Sequence, residues 1–124
     1  MRKLLFIWAL CQTIVLGGPV PVTLLQIDGA IGPAGSSYLA SGIGDAKQNG
    51  SAFILLELDT PGGLVSATRE MVKTILGSPV PVVVYVAPKG AHAASAGTFL
   101  VYAAESREIR KRKGSMFHVF SGSQ

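Results

Sequence analysis

From Val20 onward the chain alternates short apolar runs with clusters of turn residues. Val22-Thr23-Leu24-Leu25-Gln26-Ile27 stops at Asp28-Gly29, Phe53 to Leu58 stops at Asp59-Thr60-Pro61-Gly62-Gly63, and Val82-Val83-Val84-Tyr85-Val86 stops before Pro88. Five- and six-residue runs of this kind, closed by Gly, Pro and Asp, predict strands. The second and third are almost unbroken in apolar residues, which predicts strands covered on both faces, with the third lying centrally in a parallel sheet. Between them Leu64, Ala67, Met71, Val72, Ile75 and Leu76 recur at helical spacing. Ser66, Arg69, Glu70 and Lys73 face away, and Gly77 with Pro79 supplies the stop. A weaker helix opens at Ser36-Ser37, where Leu39, Ile43 and Ala46 share a face, although Gly42 and Gly44 each cost about 1 kcal/mol relative to Ala. Phe99 to Ala104 predicts a last helix, with Ser95 at its N-terminal end. The order βαβαβ, with right-handed crossovers, puts helices against the sheet and gathers the loops after the strands at one edge, where such folds keep their sites.

The N-terminus differs in texture. Arg2-Lys3, the thirteen-residue apolar run Leu4 to Leu16, and then Gly17-Gly18-Pro19 have the layout of a secretory signal, or of an N-terminal anchor if uncleaved. The run is shorter than the roughly 20 residues a spanning helix needs. Cys11, the single cysteine, lies inside it and permits no internal disulfide, and the large Leu10 before it disfavours lipid attachment. The chain is thus expected to be exported, extracytoplasmic or membrane-associated. Residues 1–18 form the signal or anchor, residues 20–104 one α/β domain, and residues 105–124 a divergent basic tail.

Charge removes one class of partner. The chain of 124 residues carries a net charge of +4, but residues 4–104 hold one net negative charge and the excess sits at Arg2-Lys3 and in Glu105 to Lys113. The domain is not basic, so no nucleic-acid partner is implied. No Cys/His/carboxylate cluster points to a metal, and no cofactor is expected.

Two segments could carry chemistry. Asp59-Thr60-Pro61-Gly62-Gly63 places glycine backbone at the end of a buried strand, where uncovered amides could form an oxyanion hole; a tight strand-to-helix turn accounts for the same residues. Ala93-Ala94-Ser95-Ala96-Gly97 sets a serine among the smallest residues at a helix start. Amides there favour negative charge, but an ordinary N-cap serine would read the same way.

Together with Leu56 to Leu64, Thr68-Arg69-Glu70 and Ser78 to Pro88, these segments resemble the protease domain of NfeD-type membrane serine proteases of the ClpP class, over residues 22 to 104. The resemblance implies a ClpP/crotonase-type βαβ spiral and a Ser-Lys endopeptidase. Ser95 matches the nucleophile, and the amides of Gly62 or Gly63 and of Ala96 match the oxyanion hole. It further implies homo-oligomers in the full-length family and substrates that are apolar segments of stomatin- or flotillin-like membrane proteins.

The base of such a dyad is a lysine kept neutral by burial, some forty residues beyond the nucleophile in the family. The sequence runs 29 residues past Ser95. Lys111 and Lys113 lie in a charged run with Arg110 and Arg112, Lys89 reads as an exposed loop residue, and Lys73 points away on a polar helix face. His92 reads as a loop histidine without an acidic partner, and His118 falls in the tail. The chain is therefore expected to be an incomplete, inactive protease domain whose tail arises from a frameshift or truncation, or is a genuine divergent tail. Two alternatives remain open: a non-catalytic remnant that binds apolar peptide or a membrane partner, and a crotonase-like acyl-CoA enzyme, which the export signal disfavours.

Overall fold

The computed structural model describes residues 17–111, with side chains through Ser106. Three strands, β1 (Val22–Asp28), β2 (Phe53–Asp59) and β3 (Val82–Val86), alternate with three helices, α1 (Pro33–Gln48), α2 (Val65–Gly77) and α3 (Ala96–Lys111). The sheet is parallel throughout, in the order β1-β2-β3. The signal or anchor segment and most of the basic tail lie outside the described residues.

The register explains the core. Leu25 pairs with Leu56, Ile27 with Leu58, and Ile54, Leu56 and Leu58 with Val82, Val84 and Val86, so one face of the sheet is a continuous apolar surface. All three helices lie over this face. Leu39, Ile43 and Ala46 of α1, Ala67, Met71 and Ile75 of α2, and Leu100, Ala103 and Ala104 of α3 join these strand residues in one cluster. Gly42, costly for helix propensity, has a packing role: a Cβ there would lie 2.6 Å from both terminal methyls of Leu25.

Two expectations about the strands need correction. β3 lies at the edge of the described sheet and β2 at its centre. The strands are also not covered on both faces. Buried and half-buried residues alternate along β2, and on the second face Val22, Leu24 and Tyr85 are exposed. Apolar sequence on both sides of a strand shows what can be buried. It does not show which face the helices of this segment reach.

The helices also differ from the pattern in detail. α1 starts at Pro33 rather than at Ser36, because a proline in the first turn gives up an amide that has no helical partner anyway. On α2 the buried face is Ala67, Thr68, Met71 and Ile75, while Leu64 is 57% exposed and Leu76 is also exposed. α3 runs seven residues past Ala104, through a Glu, Arg, Ile and Lys sequence of good helix formers with no Gly or Pro to stop it.

Leu56 sits at the centre of this layer with no accessible surface. Leu56→Ala should cost about 2–5 kcal/mol. In urea unfolding the midpoint falls while the slope stays unchanged; an unshifted midpoint would show that the sheet face is not the core.

Candidate functional site

The carboxyl ends of the strands carry a small scaffold made of backbone hydrogen bonds. Residues 59–64 follow β2 and are held on both sides. On the β1 side, Gly29 N–H donates to the Asp59 carbonyl (2.8 Å), Ile31 N–H to the Gly62 carbonyl (2.9 Å) and Leu64 N–H to the Ile31 carbonyl (2.9 Å). On the other side, Thr60 N–H donates to the His92 carbonyl (2.6 Å), and Ala94 N–H to the Thr60 carbonyl (3.1 Å). These bonds prolong the parallel pairing of the sheet past the ends of its strands.

Glycine is required at two points of this scaffold. A Cβ on Gly63 would lie 2.1 Å from the Ile31 carbonyl oxygen, closer than any side chain tolerates. Gly62 has φ 121°, a region closed to other residues, and a Cβ there would lie 3.0 Å from Ser95 Cβ and 3.4 Å from Ser95 Oγ. The Gly62 backbone therefore stands directly against the serine. Ala96 N lies 3.6 Å from the same point.

Ser95 has φ 49°, the left-handed region, and among the described residues no other non-glycine has a positive φ. Such a residue stores about 1–3 kcal/mol of strain that the surrounding structure must offset. An N-cap serine has extended backbone and its side chain accepts an amide of the first turn. Ser95 has neither property: its hydroxyl bonds no described group, and the residue is exposed. The turn into α3 is closed instead by Gly97 N–H to the Ala94 carbonyl (2.9 Å) and by Thr98 Oγ1 to the Ala93 carbonyl (2.9 Å).

The amides around this hydroxyl are not equivalent. Gly62 N–H donates to Thr60 Oγ1 (3.1 Å), and the same hydroxyl donates to the Gly62 carbonyl (3.1 Å). Gly63 N–H and Ala96 N–H donate to no described acceptor. Ala96 opens α3, where helical geometry leaves the amide without a partner. The sequence could not separate Gly62 from Gly63. What does so is the buried hydroxyl of Thr60, a residue whose role sequence reasoning missed and for which no sequence signal exists.

A cavity of about 500 Å³ opens beside Ser95, lined by Gly63, Val65, Thr68, Val72, Ala96 and Phe99. Its lining is mostly hydrocarbon. Arg69 and Lys73 also line it, which corrects the expectation that Lys73 points away from the serine. Lys89 and His92 are exposed and lie outside this cavity. The His92 N–H donates to Asp59 Oδ1 (2.9 Å), so the carboxylate near this histidine is engaged with its backbone. Among the described residues no cluster of His, Cys, Asp and Glu could hold a metal ion, and no helix is long and apolar enough to cross a membrane.

A family model described as NfeD1b, N-terminal domain, matches residues 21–117. The chain is 38% identical over 104 residues to the membrane-bound protease PH1510 of Pyrococcus horikoshii, covering 81% of this chain and 23% of that protein. It is 36% identical over 70 residues to the membrane protein NfeD1b of Bacillus subtilis, covering 56% of this chain and 15% of that protein. The chain thus spans less than a quarter of the length of these relatives.

Among solved structures, the 1510-N membrane protease specific for a stomatin homolog from Pyrococcus horikoshii superposes with a TM-score of 0.65 at 38% identity, over 69% of this chain and 43% of that one. A lysine-to-alanine mutant of the 1510-N protease in complex with a substrate peptide gives 0.67 at 38% identity, over 69% of this chain and 39% of that one. ClpP1 from Listeria monocytogenes matches at 21% identity with a TM-score of 0.57, over 64% of this chain and 45% of that one, a likeness of fold alone. The fold is therefore that of ClpP-like protease domains.

Thr60→Val keeps the shape of the side chain and removes the hydroxyl, which leaves a buried Gly62 amide unpaired. The expected loss is about 1–3 kcal/mol of stability in urea unfolding. A Thr60→Val chain as stable as the parent would show that the hydroxyl does not hold the Gly62 peptide.

Proposed function

The chain belongs to the NfeD1b N-terminal domain family, and on that premise we propose that Ser95 is the nucleophile of a ClpP-like serine peptidase site for apolar peptide segments. The observation that carries this reading is the strained backbone of Ser95, which presents a free hydroxyl beside two unpaired amides and an apolar cavity. In an acyl transfer at this site, Ser95 Oγ attacks the scissile carbonyl carbon and the carbonyl oxygen becomes an oxyanion. Gly63 N–H and Ala96 N–H are the donors free to receive it, with Gly62 keeping the approach open by having no side chain. Preorganised donors of this kind contribute most when charge develops at the oxygen, and removal of one typically costs about 10²–10³ in rate.

Activating the hydroxyl needs a base. In a Ser-Lys dyad that base is a lysine made neutral by burial. Among the described residues Lys73 shares the cavity with Ser95 but is exposed, and Lys47 and Lys89 are exposed as well. The described residues therefore supply the nucleophile and oxyanion half of the site. Acting alone they bind peptide and react slowly, without efficient hydrolysis. Membrane association and substrates of the stomatin class follow by kinship with a membrane-bound stomatin-specific protease. Export through an N-terminal signal fits such a location. Homo-oligomers and flotillin-like substrates belong to the same proposal.

A second reading is favoured by the absence of a buried lysine beside Ser95 among the described residues: a non-catalytic module that holds apolar peptide in the cavity. Treatment with a fluorophosphonate probe separates the two. Oxyanion stabilisation and binding alone sustain measurable reactivity in serine peptidases stripped of other catalytic groups. The wild-type chain should be labelled slowly, with the label on Ser95 and abolished by Ser95→Ala. A chain that binds apolar peptide but takes no label establishes the second reading, and labelling that survives in Ser95→Ala overturns the assignment of the nucleophile.

A further inference from the structure

The face that α2 turns toward the cavity is a single stripe: Val65, Thr68, Arg69, Val72 and Lys73, spaced by three and four residues. Its apolar members continue the hydrocarbon lining. Its two cations do not fit that pattern. Arg69 and Lys73 stand four apart on the same helix face, an arrangement of like charges that disfavours the helix by itself. Among the described residues neither has an ion-pair partner or a hydrogen bond from its side chain. Neither takes part in the nucleophile or oxyanion geometry around Ser95, Gly62, Gly63 and Ala96. Two unpaired cations in the lining of an otherwise apolar cavity are suited to a ligand that is apolar along its length and anionic at one place.

We propose that Arg69 and Lys73 select the peptide bound at Ser95, favouring apolar segments that carry a carboxylate beside the stretch lying in the cavity. The inference rests on the reading of this cavity as a peptide site and adds to it a charge requirement. A carboxylate between the two side chains relieves their mutual repulsion and accepts hydrogen bonds from both, with the planar guanidinium of Arg69 able to bind both oxygens. The carboxylate can come from an acidic side chain or from a peptide C-terminus.

The test is calorimetric titration of the full 124-residue chain at low ionic strength with apolar hexapeptides. One is blocked at both ends and carries a single Glu, its twin carries Gln at that position, and a third has no acidic side chain but a free C-terminal carboxylate. At least one carboxylate peptide should bind about fivefold tighter than the Gln peptide, as expected for partly exposed charge pairs, and the preference should shrink at high salt. The responding peptide identifies the source of the carboxylate. Arg69→Ala combined with Lys73→Ala should bring the ratio of carboxylate-peptide to Gln-peptide affinity to about one, whatever the absolute affinity of either. Arg69→Glu combined with Lys73→Glu should prefer a Lys-bearing peptide.

Equal binding of all three peptides by the wild-type chain overturns the charge requirement and leaves the peptide site standing. Survival of the preference in the double alanine variant overturns it as well. Binding of anionic phospholipid vesicles, lost in the double variant and without any charge preference among peptides, overturns it in favour of a membrane contact. If no peptide binds at all, the proposal and the peptide-site reading fall together, and fluorophosphonate labelling of Ser95 tells whether the nucleophile assignment falls with them.

Discussion

The geometry at the carboxyl edge of the sheet depends on the backbone of residues 59–64 being held between two neighbouring segments. Gly29 and Ile31 bond it from one side, and His92 and Ala94 from the other. These bonds have no tolerance for a side chain at Gly63, where the Ile31 carbonyl already occupies the space a Cβ would need. Because the same loop leads into α2 and the His92–Ala94 segment leads into α3, fixing the loop also fixes the starts of both helices relative to each other. The cavity lies between those helices. A single extension of parallel pairing thus sets the serine, the free amides and the apolar lining in one place.

The strain at Ser95 follows from this arrangement. Ala94 is tied to Thr60 and α3 begins at Ala96, so one residue must turn the chain from extended pairing into a helix. A left-handed conformation accomplishes that turn and sets Ser95 Cβ and Oγ against Gly62. The penalty is offset by core packing of the helix that follows, where Leu100 and Ala103 of α3 are buried in the core cluster. Thr60 completes the support. With no exposure, it bonds both the backbone N–H and the carbonyl of Gly62, while the Gly63 N–H donates to no described acceptor.

Much of the fold was legible because the apolar runs were short and sharply bounded. β3 was expected at Val82 to Val86 and lies there, and β1 and β2 each extend one residue past the expected end. The parallel βαβαβ order and the grouping of the Gly62-Gly63 loop with Ser95 also followed from sequence. The edge position of β3 did not, since apolarity measures what a strand can bury and its neighbours decide whether it is buried. Lys73 was misplaced for a related reason. A helix has flanks as well as a core face, and the flank bearing Arg69 and Lys73 meets a cavity that only the position of α3 creates. The positive φ of Ser95 and the bonds of Thr60 arise from tertiary constraint and leave no trace in residue type.

On the proposed reading, Ser95 and the free amides beside it hold a tetrahedral adduct independently of any base. A peptide boronic acid tests this directly, because boron accepts the serine oxygen while the hydroxyl proton passes to solvent, with no leaving group to protonate, and keeps an oxygen in the oxyanion position. In ¹¹B NMR the boron should be tetrahedral with the wild-type chain and trigonal with Ser95→Ala. Boron that stays trigonal with the wild-type chain, or becomes tetrahedral regardless of Ser95, would contradict it.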